Sequence, residues 1–97
     1  LHNYNKVENT PKLKARAHNN RALIYIKKKY FKLALDELSQ AIMISPNLID
    51  AHYNLGNLLI QTKGNSTTAR QHLEKALTLT TSQEGVDRIK ATLKDLS

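Results

Sequence analysis

The chain has 97 residues, no cysteine and a formal net charge of +7 at pH 7. This length allows one small domain with a modest core, and the lack of cysteine excludes disulfides and thiolate metal sites. No apolar run approaches membrane-spanning length, so we expect no membrane span. The chain begins at Leu1 and not at Met, so we expect it to come from a longer protein.

Most of the positive charge lies in the first half of the chain. Residues 1–48 hold nine Lys or Arg residues and three Asp or Glu residues. Residues 49–97 hold six Lys or Arg residues and five Asp or Glu residues. The run Lys27-Lys28-Lys29 could be a patch for nucleic acid or another anionic surface, or a solvated helix end. We favour the solvated end and do not expect nucleic acid as a partner, because aromatic residues are few and no stacking platform interleaves with the charges.

The first helix is predicted from a strong start signal. Residues 1–10 are polar and lack periodicity, so we expect them to form a linker or a frayed end. Thr10 then serves as the cap and Pro11 as the first helical residue, where its missing N–H is not needed. We expect this helix to run to about Lys28.

The second and third helices follow with a proline between them. Apolar residues on one face predict a helix over about 30–45, and Pro46 ends it. The third helix is predicted over about 47–62, followed by Gly64 as a left-handed cap.

The last two helices complete an all-helical chain. Ser66 is predicted to cap the fourth helix, which reaches about Leu79. The spacing of Thr81 and Glu84 predicts a capping box at the start of the fifth helix. The apolar stripe of this helix consists of Val86, Ile89, Leu93 and Leu96.

Two stretches of the chain repeat each other at a nearly constant spacing. Asn20 and Asn54 are 34 residues apart, and so are Ala22 and Gly56. The pairs that are 35 apart are Ala34 and Ala69, Leu38 and Leu73, and Ala41 and Ala76. A period of this size is typical of stacked helical repeats, which build binding surfaces.

These residues resemble the tetratricopeptide repeat, a 34-residue helix–turn–helix module. Its pattern is matched by Asn20, Arg21, Ala22, Tyr25, Ala34, Leu38, Ala41 and Pro46, and again by Tyr53, Asn54, Leu55, Gly56, Asn57, Ala69, Leu73 and Ala76. The resemblance implies an all-α, right-handed stack of about five helices. It divides the chain into repeat 1 over 11–46, repeat 2 over 47–81 and a C-terminal capping helix over 82–97.

Three residues depart from the family pattern. Arg21 replaces the usual Leu, which weakens packing in repeat 1. Lys29 stands where a turn glycine is common, which predicts a different turn there. Thr81 replaces the final Pro and softens the exit from the fourth helix.

The resemblance implies a protein–protein interaction module and not an enzyme. In this family the first helices of successive repeats line a concave groove that holds a peptide or helix of a partner protein. By position, the expected groove residues are Asn19, Asn20, Leu23, Ile26, Lys27, Asp50, Tyr53, Asn54, Asn57, Ile60, Gln61 and Arg88. Asn20 and Asn54 could donate to and accept from a peptide backbone, and Tyr53 adds apolar area with a polar tip.

Two alternatives concern partners. Two repeats plus a cap are fewer than the three repeats usually needed for stability. This points to self-association as a scaffold or homo-oligomer, or to further repeats upstream, unless residues 1–16 cover the first end of the stack. Some family members clamp the terminal carboxylate of acidic peptides, and Asn20-Arg21-Ala22 resembles the middle element of that clamp. The next repeat has Asp50 and Asn54 where two cations are needed, so we do not expect the clamp.

Catalysis and metal binding have little basis in the sequence. The four histidines, His2, His18, His52 and His72, include no pair at metal-ligand spacing. His18 and His52 are 34 apart and are expected to be equivalent packing positions. No glycine-rich phosphate loop or nucleophile motif is present, so we expect no cofactor.

Overall fold

The computed structural model of the protein describes residues 10–96 and contains five α-helices in this range. They are α1 (Pro11–Lys27), α2 (Phe31–Ile44), α3 (Ile49–Gln61), α4 (Ser66–Leu79) and α5 (Gln83–Asp95). The prediction of an all-α chain of about five helices is confirmed. The predicted linker over 1–10 lies outside the described residues, except for Thr10. No helix in the described range is long and apolar enough to cross a membrane.

The helices pack as two hairpins followed by a single helix. α1 lies against α2, and α3 lies against α4. The hairpins are joined mainly where α2 packs on α3, and α5 packs on α4. This order gives a short stack of dimensions 50 × 31 × 19 Å.

The core is built from alternating small and large side chains. The buried residues of α1 and α2 are mainly alanines, and the largest fully buried side chains are Leu38, Leu58, Leu73 and Ile89. A Cβ added at Gly56 would lie 2.7 Å from the Leu73 Cγ, so only glycine fits without movement there. Gly56 thus allows α3 and α4 to pack closely together.

Both hairpins turn in the same way, which corrects the predictions for Lys29 and Gly64. The left-handed residues are Lys29 (φ 66°) and Lys63 (φ 56°), which are 34 residues apart. The N–H of Tyr30 donates to the carbonyl of Tyr25 over 2.8 Å, and that of Gly64 to Leu59 over 2.7 Å. These bonds close a Schellman motif at each helix end. A lysine occupies the strained position in both, so the turn at Lys29 is not a different one and Gly64 is not the left-handed cap.

The helix starts are confirmed for α1 and shifted by one residue for α4 and α5. The Leu13 N–H donates to Thr10 Oγ1 over 3.3 Å, as predicted. Asn65 and not Ser66 caps α4, accepting from the Thr68 N–H at 3.1 Å. Ser82 caps α5, accepting from the Gly85 N–H at 3.2 Å. The predicted capping box is therefore wrong, because Glu84 is only two residues past this cap and cannot reach back to it.

Candidate functional site

Two neighbouring pockets lie along α1, α3 and α5. The first, of about 270 Å³, is lined by Lys12, Arg16, Asn47, Leu48, Ile49 and Asp50. The second, of about 200 Å³, is lined by Ile49, Asp50, Tyr53, Thr80, Gly85, Arg88 and Ile89. Because Ile49 and Asp50 line both pockets, the two form one continuous strip, which we call the inner groove.

The structure brings three of the residues predicted for the groove into one pocket. Asp50 and Tyr53 project from α3, and Arg88 projects from α5 across from them. Tyr53 is half-buried because its ring also packs against the core cluster around Leu73 and Ile89. The pocket therefore offers an anion, a cation and an aromatic ring on rigid helices.

The remaining predicted groove residues have varied surroundings. On α1 and α3, several lie exposed outside these two pockets: Asn20, Leu23, Lys27 and Gln61. Asn57 and Ile60 are partly buried on α3, and Ile26 is partly buried on α1. Asn19 is only 5% exposed.

Asn19 and Asn54 bond to each other at the boundary between the hairpins. The Asn54 Nδ2 donates to the Asn19 Oδ1 over 2.9 Å. No buried side-chain nitrogen or oxygen among the described residues lacks a hydrogen-bond partner. The pair thus links α3 to α1.

Sequence reasoning missed two cations of the groove, Lys12 and Arg16. Arg16 is 34 residues before Asp50, so the repeat period alone places it at the equivalent position. Lys12 lies one helical turn before Arg16. It is in the N-terminal part of α1 that has no counterpart in α3, because α1 is the longer helix. With Arg88, these cations outnumber Asp50, the acid that lines both pockets.

Equivalent positions of the two repeats hold two different histidine pairs. In repeat 1, His18 Nδ1 lies 2.6 Å from Glu37 Oε1, and Arg21 Nη1 lies 3.3 Å from Glu37 Oε2. The hydrogen bond from His18 is the largest cause that lowers the pKa of Glu37; burial opposes it, and the charge of Arg21 adds to the lowering. This pair ties α1 to α2, and it lies outside the pockets of the inner groove.

In repeat 2 the equivalent pair is His52 and His72. Their Nδ1 atoms are 3.0 Å apart, and His52 Nε2 lies 2.7 Å from the carbonyl oxygen of Pro46. Since a carbonyl only accepts, a neutral His52 carries its proton on Nε2, and its Nδ1 then accepts from the Nδ1–H of His72. Burial, and secondarily the neighbouring His52, lower the pKa of His72.

These histidines do not form a metal centre with other ligands. Within residues 10–96, no group of three or more His, Cys, Asp or Glu side chains is placed to hold a metal ion. His72 instead lines a separate pocket of about 320 Å³ between α2 and α4, with Ser39, Ile42, Met43 and Leu55. The fold brings His52 and His72 together from different helices, which their spacing in the sequence could not show.

Comparison with known proteins agrees with this architecture. A family model described as a TPR repeat matches residues 22–63, and one described as a tetratricopeptide repeat matches residues 49–82. A search of curated proteins gave no significant match. Tetratricopeptide repeats are in general protein–protein interaction modules. With two overlapping matches and a stack of helical hairpins at the same period, the chain belongs to the tetratricopeptide repeat family.

Proposed function

We propose that the chain binds a peptide or helix of a partner protein in its inner groove, without a chemical step. The observation that carries the proposal is the pocket that joins Asp50, Tyr53 and Arg88. Each comes from a well-formed helix, so little conformational entropy would be lost on binding.

The three side chains define what a partner segment has to offer. Arg88 is suited to a carboxylate or a backbone carbonyl, and Asp50 to a cation or an N–H group. Tyr53 supplies a flat apolar surface with a hydroxyl at its tip. A partner with an apolar side chain between an acidic and a basic or amide group would complement this pocket.

The first pocket extends the site toward α1. Lys12 and Arg16 favour a further acidic group next to the segment that fills the second pocket. Together the two pockets suit an extended segment better than a compact small molecule.

The side-chain pairs of the described residues give no reason to add catalysis to this proposal. They are amide with amide, amide with aspartate, histidine with histidine, and histidine or arginine with glutamate. None of them places a nucleophile beside a base within the inner groove.

The experiment that tests the proposal is selection of peptides from a random display library on the purified chain. Affinities of the selected peptides are then measured by fluorescence anisotropy for the unchanged chain and for Tyr53→Ala and Arg88→Ala. We expect each substitution to weaken binding by about tenfold or more. Lys75→Ala, an exposed change on α4, serves as the control and should leave the affinity unchanged.

Circular dichroism of each variant separates loss of contact from loss of fold. If folded Tyr53→Ala and Arg88→Ala variants bind the selected peptides as tightly as the unchanged chain does, the inner groove is not the binding site.

A further inference from the structure

A second surface lies on α1, beside the face that carries Lys12 and Arg16 into the inner groove. Leu13, Ala17, Asn20 and Ile24 are spaced by four, three and four residues, so they share one face of the helix. All four are exposed, and Ile24 is 54% exposed. We call this face the outer stripe.

The repeat shows what such a stripe does when it has a partner. The residues of α3 that are 34 positions after Ala17 and Ile24 are Ala51 and Leu58, which are 0% and 1% exposed. They are buried because α2 packs across this face of α3. The outer stripe of α1 is thus the same kind of helix-docking face, and no helix within residues 10–96 packs on it.

Asn20 supports the same comparison. It lies 34 residues before Asn54, whose amide donates across the boundary between the two hairpins to Asn19. Asn20 is exposed and offers the same donor on the outer stripe of α1. Ala17 is small, like Ala51, so a helix backbone can approach closely beside it.

The positive charge around the stripe indicates which charge a partner should carry. α1 contains five Lys or Arg residues and no Asp or Glu. By helical position, Lys14 and Arg21 lie on one side of the stripe, and Arg16 and Lys27 lie on the other. Arg21 is bonded to Glu37 but remains half exposed. A helix docked on the stripe would therefore be flanked by cations on both sides.

We infer that the outer stripe of α1 docks an amphipathic helix of a partner protein whose apolar face is flanked by Asp and Glu. A second copy of the chain fits less well, because symmetric pairing would bring the same cations together. An anionic membrane fits less well, because the stripe has only two large apolar residues and an amide between them. This inference does not depend on the inner groove.

The test uses a labelled synthetic peptide with the sequence of α2, Phe31–Ile44, carrying the change Lys32→Glu. This helix covers the equivalent face of α3, and the change leaves the peptide with three acids and no base. We expect this peptide to bind the full chain, as measured by fluorescence anisotropy. Its affinity should fall as the salt concentration is raised. A control peptide, which keeps Lys32 and has Asp36→Lys and Glu37→Lys, should not bind.

Substitutions in the chain show where the peptide binds. Ile24→Asp should weaken binding by about tenfold or more, because it puts a charge in the apolar contact. Leu33→Ala, an exposed apolar change on α2 outside the stripe, is the matched control and should have no effect. Tyr53→Ala should also have no effect, which separates this inference from the inner groove.

Several results would overturn the inference. The first is an absence of peptide binding at low salt. The second is a folded Ile24→Asp variant that binds the peptide as tightly as the unchanged chain does. The third is a control peptide that binds as tightly as the test peptide does. A dimer in sedimentation that Ile24→Asp dissociates would assign the stripe to a second copy instead. Binding of phosphatidylserine vesicles or of single-stranded DNA that Ile24→Asp abolishes, without binding of the peptide, would assign it to a membrane or to nucleic acid.

Discussion

The amide of Asn54 donates to the buried amide oxygen of Asn19 over 2.9 Å, and this bond links α3 of the second hairpin to α1 of the first. Elsewhere the hairpins meet mainly through apolar contacts between α2 and α3. The bond is polar and directional, so it favours one placement of α3 beside α1. That placement sets the width of the pocket between them, where Lys12, Arg16 and Asp50 meet.

The first prediction concerns this amide pair. We expect Asn54→Ala to lower the free energy of unfolding by about 1–3 kcal/mol, because it leaves the Asn19 oxygen without a donor. The double variant with Asn19→Ala should be less destabilised than the sum of the two single variants. Urea unfolding measures all three. Asn20→Ala is the control and should change the stability by less than about 0.5 kcal/mol; strict additivity of Asn19→Ala and Asn54→Ala would contradict the pairing.

The second prediction concerns the two left-handed lysines. Lys29→Gly and Lys63→Gly should each raise the free energy of unfolding by up to about 1 kcal/mol, because glycine adopts a positive φ without a Cβ clash. Thermal unfolding followed by circular dichroism measures the change. Lys28→Gly is the matched control, since Lys28 has φ −86° and glycine there should destabilise the helix end. A loss of stability in both left-handed variants would show that the turns are not strained.

The third prediction concerns the close contact of α3 and α4. Gly56→Ala should destabilise the chain by about 1–3 kcal/mol, because the new methyl group would meet Leu73 in the core. Gly85→Ala tests the same change in α5, where the nearest atom is the Thr80 hydroxyl oxygen at 2.6 Å. That hydroxyl accepts only a long hydrogen bond, 3.4 Å, from the Ser82 N–H, so its rotation costs less than a shift of Leu73 in the core. Gly85→Ala should therefore destabilise the chain less than Gly56→Ala does. Equal effects of the two substitutions in chemical unfolding would contradict this account.

The fourth prediction concerns pH. Because the pKa of His72 is lowered in the folded chain, the folded state binds fewer protons than the unfolded state near and below the usual histidine pKa of 6.5. Stability is therefore complete above that pKa and falls as the pH is lowered through the folded value. The lowered pKa of Glu37 acts in the same direction, but only near and below 4.5. We expect the melting temperature to fall from about pH 7.5 to about pH 5.5.

The His72→Gln variant isolates this effect. Glutamine keeps an N–H donor for His52 but does not titrate, so the melting temperature should vary less over the same pH range. If the variant and the unchanged chain lose stability in parallel, His72 is not the group responsible.

The repeat pattern of the sequence predicted the helices well, because small and large apolar residues recur with the helical period in both repeats. The helix caps were harder to predict from the sequence, because Asn65 and Ser66 are chemically similar neighbours, and so are Thr81 and Ser82. Only the path of the backbone decides which of them faces the free N–H groups. The turns at Lys29 and Lys63 were missed because lysine rarely adopts a positive φ.

The site was only partly predictable for a different reason. Asp50 and Tyr53 follow from their position on α3, and Arg88 from its position on the closing helix. The bonds from Asn54 to Asn19 and from His72 to His52 join residues on different helices, and they depend on the angle between those helices. A single sequence carries no direct signal for that angle.

The measurement that most directly tests binding in the inner groove is an NMR titration of the ¹⁵N-labelled chain with a display-selected peptide. We predict that the amide signals that shift most belong to the groove, at and around Asp50, Tyr53 and Arg88. Shifts confined to the opposite pocket around Met43, or to the lysine run at residues 27–29, would contradict the account.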